Sequence, residues 1–221
     1  MGCVTVKKVI IAISGGIDSA VAAAIAKDEG HELYFLTVNY GQKNLSREIS
    51  NTKKLAKHYS AKEHLIINME WLGSLGTSLV TDDAIHDTSK ELIYVPNRNT
   101  CIISACLAWA ETIDADIIYT GSEAGPWVCP DNSPEYYEKW NSLVSISMMR
   151  NKKISIVAPL NNYDKKNIVR IGLELDVPYQ YTWSCLCCDA HPCGECLSCQ
   201  ERAEAFAALG EDDPLCVFLD A

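Results

Sequence analysis

One short stretch restricts the possible fold of this chain more than any other. Ser14-Gly15-Gly16-Ile17-Asp18-Ser19 lies between Val9–Ile13, an apolar run of strand length, and Ala20–Ala26, an alanine-rich helix former. A strand, a glycine turn and a helix in direct succession form the opening unit of a parallel α/β sheet. The turn directs backbone N–H groups and a helix N-terminus into one small volume, which suits an anion. Gly15 and Gly16 permit backbone angles and a close approach that a Cβ would block. The stretch lacks the Lys-Ser/Thr ending of the common phosphate loop and the third glycine of the dinucleotide fingerprint.

The same alternation continues downstream. Leu33–Asn39, Glu63–Asn68, Asp116–Thr120 and Ile154–Ala158 read as strands. Ser46–Tyr59, Thr100–Ile113, residues 135 to about 149, and Asp164–Leu175 read as helices, with Asn99 as the expected N-cap of the second. A last helix is expected from about Cys199 to Leu209. The predicted fold is therefore α/β, a doubly wound parallel sheet with right-handed crossovers. Ligands of such sheets sit outside the carboxyl ends of the strands. Ser14–Ser19, Tyr40–Gln42, Thr120–Ser122 and Pro159–Leu160 should thus converge, with Arg98 nearby. Residues 69–95 lack periodicity; Thr81–Asp83 and His86–Ser89 read as exposed loop, and a loop of that length either covers a site or is a surface insertion.

Composition narrows the partners. The formal net charge of −10 disfavours a nucleic-acid partner held by a broad basic surface and favours a small-molecule substrate. No apolar run approaches membrane-spanning length, and Met1–Lys8 carries no secretory apolar region, so a cytoplasmic location is expected.

Eleven cysteines in a cytoplasmic chain point to metal rather than to disulfides. Six of them fall between Cys185 and Cys199. Cys193, Cys196 and Cys199 are separated by two residues each, and Gly194 relieves the first turn. Cys185, eight residues upstream, completes four thiolates, the ligand set of a structural zinc site. An iron–sulfur cluster is the rival reading, and Cys187, Cys188 and His191 are competing ligands. Cys101 and Cys106 read as buried small hydrophobes.

The two ends of the chain together identify a family. Ser14–Ser19 resembles the signature of ATP pyrophosphatases, which adenylate a carboxylate or carbonyl and release pyrophosphate. With Tyr40-Gly41-Gln42, Val95-Pro96-Asn97-Arg98-Asn99, Ala158-Pro159-Leu160, Lys165, Val177-Pro178 and Thr182-Trp183-Ser184-Cys185 through Cys199 to Arg202 and Ala205-Phe206, nearly the whole chain resembles the 7-cyano-7-deazaguanine synthase family of queuosine biosynthesis. The resemblance implies an adenine nucleotide alpha-hydrolase type α/β domain over residues 1–180 and a zinc-binding segment with the C-terminal helix over 181–221. It implies a cytoplasmic homodimer and an ATP-dependent carbon–nitrogen ligase using structural zinc, ATP and magnesium. The ligase adenylates 7-carboxy-7-deazaguanine, and ammonia converts it first to the amide and then to the nitrile.

By the same resemblance, Ile13, Ser14, Gly15, Gly16, Ile17, Asp18, Ser19, Ala20, Val21, Ala22 and Ala23 would bind ATP. Asp18, Arg98 and Lys165 would be catalytic, and Tyr40, Gln42, Asn99, Gly121 and Asp131 would meet the substrate. Cys185, Cys193, Cys196 and Cys199 would hold the metal.

One run departs from the family. Where members carry Tyr-Pro-Asp-Cys-Arg-Pro-Glu-Phe, this chain has Cys129-Pro130-Asp131-Asn132-Ser133-Pro134-Glu135-Tyr136, so a guanidinium is replaced by Ser133. The segment 123–128 before it is also atypical. The departure opens two other outcomes: a ligase that stops at the amide, or one that joins the activated carboxylate to another amine, including one on a protein. A zinc-stabilised nucleotide-binding module and an RNA-thiolating enzyme are the readings from other classes; the −10 charge gives the last no support.

Overall fold

The computed structural model describes residues 5–76, 78, 80–82, 93–123, 129–149 and 153–216. Asp83 and residues 86–89 of the expected exposed loop, segment 124–128, and residues 217–219 of the tail lie outside the described residues.

Five parallel strands form one sheet in the order β3-β2-β1-β4-β5. They are β1 (Lys8–Ala12), β2 (Glu32–Asn39), β3 (Glu63–Asn68), β4 (Ile117–Tyr119) and β5 (Ser155–Val157). The central register pairs Ile10 with Tyr34 on one side and with Ile118 on the other. The helices are α1 (Ile17–Asp28), α2 (Leu45–His58), the single turn α3 (Glu70–Gly73), α4 (Arg98–Ile113), α5 (Pro134–Ser147), α6 (Lys165–Glu174) and α7 (Leu197–Ala207).

The two-residue period of the strands divides the core in two. Val9, Ile11, Leu33, Phe35, Ile117 and Tyr119 face one cluster, which also takes Leu55 and Tyr59 of the α2 end, Ile168 and Val169 of α6, and Phe206 of α7. Ile10, Leu36, Val38, Ile118 and Ile156 face the other, against Ile103, Cys106 and Ala110 of α4 and Tyr137 and Val144 of α5. Each large side chain fully buried here contributes roughly 1.5–3 kcal/mol. Strand order runs outward from β1 in both directions, so the sheet is doubly wound and its switch point lies between β1 and β4. Gly121, just past β4, occupies that gap: a Cβ there would stand 2.7 Å from the Ser19 nitrogen.

Alanine explains how α1 fits the same gap. Ala20, Ala22, Ala23, Ala24 and Ala26 are buried against the sheet, so the helix lies close to it. Ile13, Ala20, Val21, Ala22 and Ala23, expected among the nucleotide contacts, are core side chains. Only their backbone is left for a ligand.

Helix α4 also begins earlier than expected. Its N-cap is Asn97, in the left-handed region at φ 52°, and Asn99 lies within the first turn. No side chain of Asn97 caps it; Asp131 reaches across from the turn at Pro130–Asn132 and accepts the Asn99 N–H at 3.0 Å. Ser133, the departure from the family run, is the N-cap of α5 and accepts from the Tyr136 N–H at 3.1 Å, with Pro134 next to it. Serine there does a helix-starting job that arginine does not do.

Candidate active site

Gly15 turns the chain after β1 at φ 82°, and its position is tight against the Glu48 carbonyl and Thr52 of α2. Two hydroxyls staple the turn. Ser19 Oγ donates to the Gly16 carbonyl at 3.1 Å, and Ser14 Oγ accepts the Gly16 N–H at 3.3 Å. Helix α1 has no side-chain cap. Gly16, Ile17, Asp18 and Ser19 all line a cavity of about 340 Å³, so the uncapped helix start opens onto it. That volume lies in the range of small-molecule sites, and an uncapped helix start favours phosphate.

Lys165 closes the same end. Asp164 caps α6 by accepting the Asn167 N–H at 2.8 Å, which places Lys165 as the first helical residue. Its ammonium donates to both Asp18 carboxylate oxygens at 2.7 Å and lies 2.9 Å from Glu123 Oε2. Burial opposes the charge, but Asp18 and Glu123 more than offset it and raise the Lys165 pKa. Burial also raises the Glu123 carboxyl; the Asp18 charge adds to this and Lys165 only partly relieves it. The trio therefore carries one cation between two acids, and burial makes Glu123 readier to keep a proton than an exposed glutamate.

The end of β2 builds the opposite wall. Arg98 Nη1 donates to the Tyr40 hydroxyl at 3.1 Å, with the guanidinium 5.1 Å from the ring centre. Glu48, on the first turn of α2, also lines the cavity. Burial pushes its carboxyl up to about 7, although the Gln42 amide and Arg98 favour its charge.

The C-terminal segment forms the rest of the wall through Trp183, Ser184, Leu186, Ser198, Glu201 and Arg202. It is bolted to the glycine turn, where the Trp183 N–H donates to the Gly15 carbonyl at 2.8 Å. Asn44 donates to the Cys185 carbonyl at 3.0 Å, and Arg47 donates to the Asp189 and Ala190 carbonyls while stacking 4.6 Å from the Trp183 ring. Arg202 is spent on structure: it grips Asp213 with two bonds of 2.6 and 2.8 Å and reaches Thr182 at 2.8 Å. These bonds bring the tail back onto the domain, where Leu215 is buried.

Cys185, Cys193, Cys196 and Cys199 place their sulfurs within 4.8 Å of one another. A single tetrahedral ion with metal–sulfur bonds of about 2.3 Å needs sulfurs about 3.8 Å apart, so small shifts suffice. The Cys193 N–H points at the Cys185 sulfur and the Cys196 N–H at the Cys193 sulfur, at 3.4 and 3.3 Å. Gly194, at φ 73°, makes that turn possible. The quartet can hold a metal ion. Among the described residues, Cys187, Cys188 and His191 are not part of it.

The structure brings Ser14, Gly16, Ile17, Asp18, Ser19, Tyr40, Arg98, Asn99, Gly121 and Lys165 to one cavity. Gly15 stands just behind it, and Gln42 and Asp131 are buried outside its described wall. Val80 and Ile93, from the aperiodic stretch 69–95, help line it. Glu48, Glu123 and Glu201 are the cavity acids that sequence reasoning missed. Glu48 reads as one charge among many on an amphipathic helix, and Glu123 as a loop residue.

A family model described as queuosine biosynthesis protein QueC matches residues 8–210. The chain is 37% identical over 216 residues to the 7-cyano-7-deazaguanine synthase of Chlorobium phaeovibrioides, covering 94% of this chain and 95% of that protein. It is 36% identical over 219 residues to the 7-cyano-7-deazaguanine synthase of Oceanobacillus iheyensis, covering 96% and 98%. Among solved structures, NMN synthetase from Francisella tularensis aligns at 16% identity with a TM-score of 0.49, over 93% of this chain and 78% of that one.

Proposed function

Since the chain belongs to the queuosine biosynthesis protein QueC family, we propose that it is an enzyme that makes 7-cyano-7-deazaguanine from 7-carboxy-7-deazaguanine, ATP and ammonia. Relatives named for this product, matching over almost their whole length, carry the reading. The finer chemistry is assigned from the cavity.

The substrate carboxylate attacks the α-phosphorus of ATP, and the bond to pyrophosphate breaks. The N–H groups of the Gly15–Ser19 turn would hold the departing pyrophosphate, with Ser14 and Ser19 shaping the turn. Lys165 would follow the charge that develops on it, leaving Asp18 and Glu123 as it moves. Arg98, held by Tyr40, would supply the second fixed cation. Ammonia then attacks the acyl carbon and AMP leaves, giving the amide. A second ATP adenylates the amide oxygen and releases pyrophosphate; that oxygen then leaves as part of AMP while the nitrogen loses its two protons, and the nitrile forms.

Magnesium, when bound, supplies positive charge to the phosphates; the Asp18 and Glu123 carboxylates are the hard oxygen donors beside the glycine turn that suit it. Cys185, Cys193, Cys196 and Cys199 would hold a structural zinc ion with no open position. Their spacing suits one ion, whereas an iron–sulfur cluster spreads its cysteines over several irons. In this scheme residues 1–180 carry the activation chemistry and 181–221 brace it. Asn99 and Gly121 would meet the substrate from the wall, and Asp131 would act from behind it by fixing the start of α4. A cytoplasmic homodimer completes the proposal. Leu143, Ile146 and Met149, at 46%, 82% and 98% exposure along and just beyond α5, offer apolar surface for a second copy. Among the described residues, no helix is long and apolar enough to cross a membrane.

The test is direct. Protein incubated with ATP, magnesium, ammonium and 7-carboxy-7-deazaguanine should yield the nitrile with release of pyrophosphate, read by mass spectrometry. Accumulation of amide alone would remove the dehydration step, and no pyrophosphate would overturn the ligase reading.

A further inference from the structure

The activation chemistry uses the glycine turn and Lys165 and leaves Glu48 without a task. Glu48 is 9% exposed and lines the cavity. Among the described residues it makes no direct ion pair, although the nearby Arg98, which donates to Tyr40, and the Asn44 side chain favour its charge. A carboxyl in that position costs stability unless something compensates for it.

Gln42 accounts for how Glu48 is held. Its amide nitrogen donates to Glu48 Oε2 at 2.7 Å and to the Val38 carbonyl at 3.0 Å, while its amide oxygen accepts the Tyr40 N–H at 2.9 Å. Both amide hydrogens and the oxygen are thus engaged, and the side chain is only 4% exposed. Gln42 aims Glu48 rather than touching a ligand itself.

We propose that Glu48 is the specificity-determining residue that accepts the ring N–H and the adjacent 2-amino group of the 7-deazaguanine, and that Gln42 is its positioning residue. This rests on the family reading for the identity of the substrate. Two neighbouring donors on a flat ring match the two oxygens of one carboxylate. The corresponding edge of adenine presents a donor beside an acceptor, so the same carboxylate would repel the ring nitrogen of ATP. The other cavity acids are engaged elsewhere. Asp18 and Glu123 hold Lys165, and Glu201 stands on the Glu123 side, where its charge raises the Glu123 carboxyl.

Steady-state kinetics with 7-carboxy-7-deazaguanine and with its analogue lacking the 2-amino group tests this. The unaltered enzyme should prefer the 2-amino compound by at least about 100-fold in kcat/KM. Glu48→Gln should lose about 30-fold with the natural compound, through KM, and the preference should collapse toward unity. KM for ATP should change less than twofold. Gln42→Leu should shrink the preference in the same direction by a smaller factor. If Glu48→Gln does not fold, Glu48→Asp, which retracts the carboxylate by one methylene, should shrink the preference too. An unchanged preference, or a raised KM for ATP in place of the acceptor's, overturns the proposal. If the unaltered enzyme turns over neither compound, the family reading fails separately. Calorimetric binding of 7-carboxy-7-deazaguanine then decides Glu48, because equal affinity for the unaltered protein and Glu48→Gln, or no binding by either, overturns it.

Discussion

Glu48 and Glu123 stand on the wall of one cavity, and burial raises the proton affinity of both, yet their surroundings differ in kind. Glu123 shares a lysine with a second carboxylate, so its neighbours are charges that can move. Glu48 has the Arg98 charge nearby, but its direct bond is to the neutral amide of Gln42, which is itself tied to Val38 and Tyr40. Mobile charge suits a step in which pyrophosphate departs, because Lys165 can exchange one set of anionic partners for another. A rigid neutral clamp suits reading a shape. On the proposed reading, one cavity has an end for activation and an end for recognition.

Four changes should break or sharpen that division. The largest effect belongs to the brace common to both ends. The C-terminal segment touches Gly15 through Trp183 and α2 through Arg47, so Cys196→Ser should disable both ends together. Structural zinc contributes on the order of 10 kcal/mol or more, comparable to the whole stability of a domain. Metal analysis and circular dichroism should find the variant metal-poor and unfolded; a folded variant with full metal content would show that the metal does not brace the two ends.

Lys165→Met should strike one end alone. Pyrophosphate release in a single turnover should slow by about 1000-fold, roughly 4 kcal/mol of transition-state stabilisation, while affinity for 7-carboxy-7-deazaguanine stays within twofold. Equal losses in both would mean that the two ends act as one.

The recognition end has its own pH signature. The folded Glu48 carboxyl is raised from 4.5 to about 7. Between those values the folded chain keeps a proton that the unfolded chain has released, so this contribution is present below 4.5 and is lost as pH rises through 7. Glu48→Gln cannot titrate there. Its stability relative to the unaltered protein should therefore improve by about 2 kcal/mol between pH 5 and pH 8, read from urea midpoints. A constant difference would show that the carboxylate is already compensated.

Ser133→Ala should have the smallest effect and touch neither end. Loss of the α5 cap should cost about 1 kcal/mol, a fall of roughly 2–4 °C in Tm, with activity kept. A large loss of activity would place Ser133 at the substrate instead of at the helix start.

By itself the sequence determined what depends on near neighbours along the chain. The strand, turn and helix around Gly15, the period of the amphipathic helices, and the cysteine spacing from Cys185 to Cys199 are local patterns whose geometry follows from the residues within them. The tertiary structure alone decided what depends on distant partners. Lys165 meets Asp18 across 147 positions, and Asn44 meets Cys185 across 141. No spacing announces such pairs, because folding brings the strand ends together through packing of apolar faces that says nothing about which polar side chains meet there. Asp131 and Gln42, read from the sequence as substrate residues, also meet partners that no spacing predicts: Asp131 accepts the Asn99 N–H at the start of α4, and the Gln42 amide donates to Glu48. Glu48 differs from the exposed charges around it on α2 only in the surface that the fold buries.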